Sequence, residues 1–497
     1  MEPNDVARRY SNLPGYRLVD FVRVGLPVFF VTFDAFTISS KRIPIVDEFI
    51  LRCIEKGLDK PRDLAGFLGL EEPFTAKRLG GIFATDHIGY GPSDDDEPIV
   101  SLTSKGREAV SKAMIIQPRR QTLNVAVDGI TRRSLSGGRV DLLKPRDIRA
   151  FGLKEIRAFP NRAPDLDELL ALDLKAARPN RKREETVERV LSIAKLVRRH
   201  RWFREAVMLV YHAETGSDVQ VRFAVDGRPY PEMDDAFRSA DGVKEMKIAE
   251  QIAASKIAIT EAAEASGASH LFVKASLATK ETREGVRPAI LKLARLDQDS
   301  NDAASRAQTT SELKELAKIK DELKKIEAEK LLLEQQVASV TVRYLEVHEH
   351  RPLFEKALLE AKERLLIVSP WINDSVMSTV RLQRIEALVR RGVQVYIGYG
   401  IGGNEERRPA GEGQTAVRHL ERLARFNLNF TLCRLGDTHA KILVVDRAYV
   451  VVGSFNWMSF EGDSKRHFRE EVSSYCTIAE SVDEMFDRYM TRFQSKE

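Results

Sequence analysis

The stretch His439-Ala440-Lys441-Ile442-Leu443-Val444-Val445-Asp446-Arg447-Ala448-Tyr449-Val450-Val451-Val452-Gly453-Ser454-Phe455-Asn456 decides how this 497-residue chain is read. His439 and Lys441 stand two apart on a β-pattern run, so both side chains leave one face of a strand. Ser454 and Asn456 repeat that spacing after a second strand, Tyr449 to Val452. Pairing of the two strands as a hairpin gathers an imidazole, an ammonium, a hydroxyl and an amide around one point. Gly453 keeps the backbone slim where a ligand must approach. Asp446 falls on the strand face opposite His439 and reads as structural, an anchor of the hairpin. A phosphodiester needs a nucleophile, a proton donor for the leaving oxygen, and cations or neutral donors for the non-bridging oxygens. The cluster supplies all of these except the second acid/base. Lys441 suits a point-charge phosphate contact, with Ser454 and Asn456 as neutral donors.

Upstream, Ala361 to Ile372 contains the apolar run Leu365-Leu366-Ile367-Val368, which reads as another strand. A helix from about Thr379 to Arg391 and a strand Val393 to Ile397 follow it. Before this region, Leu316, Ile319, Leu323, Ile326, Leu333, Val337 and Val340 recur at alternating spacings of three and four. Lys330 holds the one polar position of that stripe. Such a run among Glu and Lys is a coiled-coil signature. It serves either an intermolecular coil, the reading preferred here, or packing on the chain itself. Asp297 to Thr310 reads as a linker, and Gly242 to Ser269 as an Ala-rich helical stretch.

The motif matches HxKxxxxDxxxxxxGSxN at every fixed position, and on these residues the C-terminal region resembles the phospholipase D superfamily of phosphodiesterases. The resemblance spans roughly Val347 to Glu497, under a third of the chain. It implies that His439 attacks phosphorus to form a phosphohistidine and that a second histidine serves the leaving group. It also implies a carboxylate shortly after the motif that orients the imidazole. Glu471 is the choice here and Glu470 the alternate, and such a carboxylate fixes the tautomer and supports the imidazolium. No cofactor and no metal are implied, because lysine and asparagine take a cation's place at the phosphate. Of the nine histidines only His439 is followed two residues later by lysine. One chain thus holds half a site, and a symmetric homodimer is the economical completion. His350 lines that site or serves a cap or the core.

Between about Ile43 and Val110 the sequence reads as three helices, a Gly- and Asp-rich loop with a return strand Ile99 to Leu102, and a helix opened by Leu102-Thr103-Ser104-Lys105-Gly106-Arg107-Glu108-Ala109-Val110. This order resembles a winged helix-turn-helix domain. The resemblance implies a third helix in a DNA major groove, with Lys77 and Arg78 near the nucleic acid. A small helical module that touches protein is the alternative. In the middle region Leu123 to Val127, Ala206 to Tyr211 and Val219 to Val225 read as strands. Glu184 to Phe203 reads as a helix with basic ends, Arg181-Lys182-Arg183 and Arg198-Arg199-His200-Arg201. These clusters suit phosphates or a solvated face. The acidic run Asp94-Asp95-Asp96-Glu97 reads as a solvated loop rather than a cation site.

The expected fold class is therefore multidomain, α/β and α+β. It comprises an N-terminal winged helix (43–112), an α+β middle (118–240), a helical region (242–296), a coiled-coil helix (311–342) and a C-terminal phospholipase D-like α/β domain with a mixed sheet (347–497). Composition says less: 79 Lys+Arg against 74 Asp+Glu, a net charge of +5 and 43% hydrophobic residues describe a globular chain with a faint pull toward polyanions. No basic n-region with an apolar core opens the sequence, and no apolar run reaches the roughly 20 residues of a bilayer span. Three cysteines, Cys53, Cys433 and Cys476, lie far apart without metal or disulfide spacing, so the cytoplasm is the default location. The expected activity is a nuclease, with nucleic acid as partner, DNA before RNA, and no membrane. A lipid phosphodiesterase, or a catalytically silent DNA-binding regulator that uses the domain to oligomerise, are the alternatives.

Overall fold

The computed structural model describes residues 2–91, 98–135, 142–171, 178–179, 186–267, 269–310, 313–400, 414–436, 438–459 and 467–494. Arg181, Lys182, Arg183 and the run 94–97 lie outside them. The chain divides into two units: Met1–Leu26, Leu143–Ile156 and Arg204–Glu497 form one, and Pro27–Leu142 with Arg157–Phe203 the other.

The second unit starts within the long strand β1 (Tyr16–Arg42). Three helices follow, α1 (Ile45–Glu55), α2 (Pro61–Leu68) and α3 (Glu72–Ala84), then the antiparallel pair β2 (Ile88–Gly91) and β3 (Ile99–Leu102), then α4 (Ser104–Lys112). Gly69 ends α2 at φ 63°, where a side chain would be strained. Thr103 caps α4 by accepting the Gly106 N–H at 3.0 Å. Ile50, Leu51, Leu64, Leu79, Ile82, Val100 and Val110 close a core among these elements. Strand β4 (Met114–Asp128) then returns antiparallel along β1, from Val28↔Asp128 to Arg42↔Met114.

Strand β5 (Thr186–Ala213) occupies the stretch that reads as a helix from 184 to 203. Val190, Ile193 and Leu196 do carry a spacing of three and do face one core, against Phe29, Phe33 and Leu123. Two forces override the helical reading. Val190, Ile193 and Val197 are β-branched and stiff at χ1, which suits a pleated surface. The neighbouring β1 also offers a backbone edge whose N–H and C=O groups need partners.

In the first unit, β5 pairs antiparallel with β6 (Val219–Val225). Two short helices, Pro231–Ser239 and Gly242–Glu245, come next, followed by three longer ones, α5 (Ile248–Ala265), α6 (Ser269–Thr309) and α7 (Leu313–Ala338). The linker expected at 297–310 is helical, the last turns of α6. The coiled-coil stripe is real, but its partner is α6 of the same chain: α7 packs back along α6. Ile319 and Ile326 are buried there, while Leu316, Leu323, Leu333 and Val337 are half-buried. Lys330 is polar for a reason, since it pairs with Asp297 of α6, which also takes Arg8 at 2.9 Å.

The rest of the unit is a seven-stranded mixed sheet. Its elements are β7 (Val342–Tyr344), α8 (His350–Glu360), β8 (Arg364–Ser369), α9 (Thr379–Arg390), β9 (Gln394–Tyr399), α10 (Gln414–Phe426), β10 (Phe430–Arg434), β11 (Ile442–Val445), β12 (Tyr449–Gly453), β13 (Ser473–Cys476) and α11 (Ala479–Gln494). The strand order is β7-β13-β12-β11-β8-β9-β10, parallel between β8, β9 and β10 and antiparallel elsewhere. Strands such as Leu365-Leu366-Ile367-Val368 are apolar throughout because both faces are covered. Leu365, Ile367, Leu443, Val445 and Val451 face α8, α9 and α10. Leu366, Val368, Ile442, Val444, Val450 and Val452 face α11 and the start of α6, where Leu271 and Ala275 are buried. Among the described residues no helix is long and apolar enough to cross a membrane.

Candidate active site

The β11–β12 hairpin fixes the site. Its register, Ile442↔Val452 to Val445↔Tyr449, sets the residues before β11 beside those after β12, and the Gly453 N–H reaches the Lys441 carbonyl at 3.2 Å. His439, Lys441, Ser454 and Asn456 thus come to one end of the sheet, level with the carboxyl ends of the parallel strands β8 and β9. Ligands of parallel α/β sheets bind outside such ends. The strand itself begins only at Ile442, so His439 and Lys441 lie in the extended segment that enters it.

Each side chain has a distinct setting. The His439 imidazole is exposed. The Lys441 ammonium is largely desolvated and donates to the His439 carbonyl at 2.6 Å. Burial pushes its pKa down to about 8; Glu471 pulls it back up and Arg469 lowers it further. Ser454 is buried and donates its hydroxyl to Glu471 Oε2 at 2.6 Å, while its Oγ accepts the Val472 N–H at 3.0 Å. The Asn456 Oδ1 is buried with no hydrogen-bond partner among the described residues. Between and beyond these, Phe455 and Trp457 point the other way into the core, 5.0 Å apart. The alternation of polar and aromatic residues over 454–457 sends the polar pair to the site and the rings to its floor.

Glu471 differs from its expected role. Its carboxylate, 1% exposed, is engaged by the Ser454 hydroxyl and the Arg469 guanidinium rather than by the imidazole. Glu470 faces elsewhere and pairs with Arg17. The Gly453 reading also changes: a Cβ there would run into Ser473 Oγ and the Val472 carbonyl, so it is β13, not a ligand, that needs the slim backbone. Asp446 sits at the far end of the hairpin in a left-handed turn, φ 51°. Its carboxylate accepts the N–H groups of Lys362, Glu363 and Arg364 at 3.1, 2.8 and 3.0 Å, tying the turn to the start of β8.

His350 belongs to the core. It is fully buried, stacks on Phe455 with centroids 4.6 Å apart and bonds Ser473 Oγ at 2.9 Å through Nε2. Burial lowers its pKa to about 4, so the ring is neutral. In the other unit, Lys77 is exposed on α3, but Arg78 is not available to phosphate in the way expected. Its guanidinium clamps the buried Asp47 carboxylate with two nitrogens, Nε at 2.7 Å, locking α3 to α1. Exposed residues of α3 and the β2 start are mostly apolar, with Phe83 against Tyr90 at 5.0 Å. Sequence reasoning missed Arg469. Its signal was a cation two residues before the candidate carboxylate. No group of three or more His, Cys, Asp or Glu side chains among the described residues is arranged to hold a metal ion.

Residues 354–490 match the family described as "Cardiolipin synthase, PLD-like domain". The C-terminal part of the chain is a phospholipase D-like domain. No curated protein matches the sequence. Among solved structures, NucT from Helicobacter pylori is 19% identical, with 31% of this chain and 95% of that one covered and a TM-score of 0.24. TrmBL2, an archaeal chromatin protein, is 16% identical over 36% of this chain and 64% of its own, with a TM-score of 0.22. Phosphatidylserine synthase of Haemophilus influenzae Rd KW20 is 17% identical over 35% and 46%, also at 0.22.

Proposed function

We propose that this chain is a metal-independent phosphodiesterase that cleaves nucleic acid, DNA before RNA, at a composite site made by two copies. The convergence of His439, Lys441, Ser454 and Asn456 at one hairpin end carries the reading. An imidazole nitrogen of His439 attacks phosphorus and the bond to the leaving oxygen breaks, giving a phosphohistidine. Water then attacks phosphorus and frees the imidazole. Lys441 and Asn456 hold the non-bridging oxygens as charge builds on them, which is where such contacts lower the barrier most. The leaving oxygen needs a proton from a second imidazole. His350 is buried and neutral in the core, so the second His439 of a homodimer fills that role.

Nucleic acid as substrate is supported by the exposed Arg198, Arg199 and His200 on β5, and by the winged-helix reading of residues 43–112 with Lys77 exposed on α3. The matched family description favours a second reading, phosphatidyl transfer or lipid hydrolysis. Labelled DNA and RNA, and phospholipid vesicles in parallel, incubated with the full chain in EDTA decide between them. Cleavage of nucleic acid that persists in EDTA and vanishes in His439→Ala is the expected outcome. Lipid turnover without nucleic-acid cleavage overturns the nuclease reading.

A further inference from the structure

The segment between Asn456 and β13 ends in an irregular strap, Phe468 to Val472, with no helix or ladder to satisfy its backbone. The N–H groups of Phe468, Arg469, Glu470 and Val472 are met by side chains instead, three of them from outside the phospholipase D-like domain. Phe468 donates to Gln251 Oε1 at 2.8 Å, Arg469 to Asp20 Oδ2 at 3.2 Å and Glu470 to Ser255 Oγ at 3.0 Å. Val472 alone turns to the site, donating to Ser454 Oγ. The Glu470 carboxylate pairs with Arg17, and the Lys154 ammonium lies 4.8 Å from the centre of the buried Phe468 ring.

These acceptors are themselves fixed. Asp20 is 1% exposed and its other oxygen takes the Phe21 N–H at 2.8 Å. Ser255 spends its proton on the Ile252 carbonyl at 2.6 Å, which aims its lone pairs at the strap. Gln251 donates to the Met246 carbonyl at 2.8 Å, which fixes the amide and turns its oxygen toward Phe468. Within the strap, the Glu471 carboxylate takes the Arg469 guanidinium and holds the Ser454 hydroxyl, and the two charges act on Lys441, Glu471 raising its pKa and Arg469 lowering it.

Resting on the phosphodiesterase reading above, we propose that Asp20 of β1 and Gln251 and Ser255 of α5 are positioning residues of the phosphodiesterase site. They act through the strap, which sets Glu471 against both Ser454 and Arg469. The elements before the catalytic domain are then part of its active geometry, since a misplacement of about 1 Å at a reacting centre can cost on the order of a hundredfold in rate.

The test uses the full chain and a small probe, bis(p-nitrophenyl) phosphate, that bypasses any extended nucleic-acid surface. Asp20→Ala and the double variant Gln251→Ala with Ser255→Ala should lose about ten- to a hundredfold in kcat with KM little changed, while Asp20→Asn, which keeps an acceptor oxygen, retains most of the rate. A second readout needs no turnover: the pH dependence of Lys441 acylation, followed by mass spectrometry. A loosened strap admits water, so the Lys441 titration moves upward from about 8 toward the ordinary lysine range in the variants. Folded variants with wild-type kcat and an unmoved Lys441 titration overturn the proposal. A rate loss that only tracks the unfolded fraction, with Lys441 unmoved, also overturns it. If the wild type turns over no phosphodiester but Lys441 still shifts, the functional reading fails and the positioning role stands.

Discussion

At the scale of single residues, His350 has the most readable thermodynamics. Burial lowers its folded pKa to about 4, against about 6.5 in the unfolded chain. A depressed folded pKa means that the unfolded state binds the proton more readily. The stabilisation is therefore complete above about pH 6.5 and is lost as pH falls through 6.5 toward 4. Between pH 7 and pH 5 this one ring should remove about 2 kcal/mol from the stability of the domain. Denaturant unfolding at the two pH values measures it, and His350→Asn, which cannot titrate there, should flatten that part of the slope. An unchanged slope in the variant places the acid sensitivity elsewhere. The sequence told which residues gather at the hairpin end, because i, i+2 spacing on a strand is a geometric statement. It could not tell which partner each would find. Glu471 stands where a carboxylate was expected, yet its partner depends on a strap held by Asp20, some four hundred and fifty positions away in the chain. Arg78 looked like a groove-facing cation until the fold set Asp47 beneath it.

At the scale of elements, the hairpin turn shows how one side chain can couple two strands. Asp446 accepts three backbone N–H groups at the start of β8, groups that no ladder partner would otherwise meet at a strand end. Charge-assisted bonds of this kind are worth more than neutral ones, and stranding their donors costs extra. Asp446→Ala should thus destabilise the domain by about 2–4 kcal/mol. Asp446→Asn keeps an acceptor and tolerates the left-handed turn, so it should cost distinctly less. Urea midpoints of the two variants test the order, and equal midpoints would falsify the clamp. Elements differ in how legibly sequence declares them. The strands of the C-terminal sheet were plain, since apolar runs bounded by polar residues leave little choice. Residues 186–203 were not, because Val190, Ile193 and Leu196 satisfy a helical spacing while their β-branched neighbours favour a strand. Only the edge of β1 settles that conflict. The α7 stripe declared a helical partner without declaring whose. Asp297, Glu322 and Glu329 fall opposite or along the pair to receive Lys330, Arg306 and Lys292, which fits packing on α6 of the same chain.

At the scale of the whole molecule, one copy of a half-site motif in a long chain makes a quantitative statement about stoichiometry. If each chain were self-sufficient, mixing wild type with His439→Ala would dilute activity in proportion to the wild-type fraction. A composite site behaves differently, because a pair with one mutant member has lost either its nucleophile or its proton donor. Under random exchange of subunits, activity then follows the square of the wild-type fraction, and an equal mixture keeps about one quarter of the pure wild-type rate rather than one half. The α6–α7 hairpin consumes much of the helical surface that a coiled coil between copies would have used, so a composite site would need other surfaces for its pairing. The mixing curve is indifferent to which surfaces those are. It reads the chemistry alone, provided the subunits are exchanged in mild denaturant and returned to buffer before assay. A linear dependence on the wild-type fraction, with mass photometry showing mixed pairs, would mean that one His439 suffices and that the second proton comes from within the same chain.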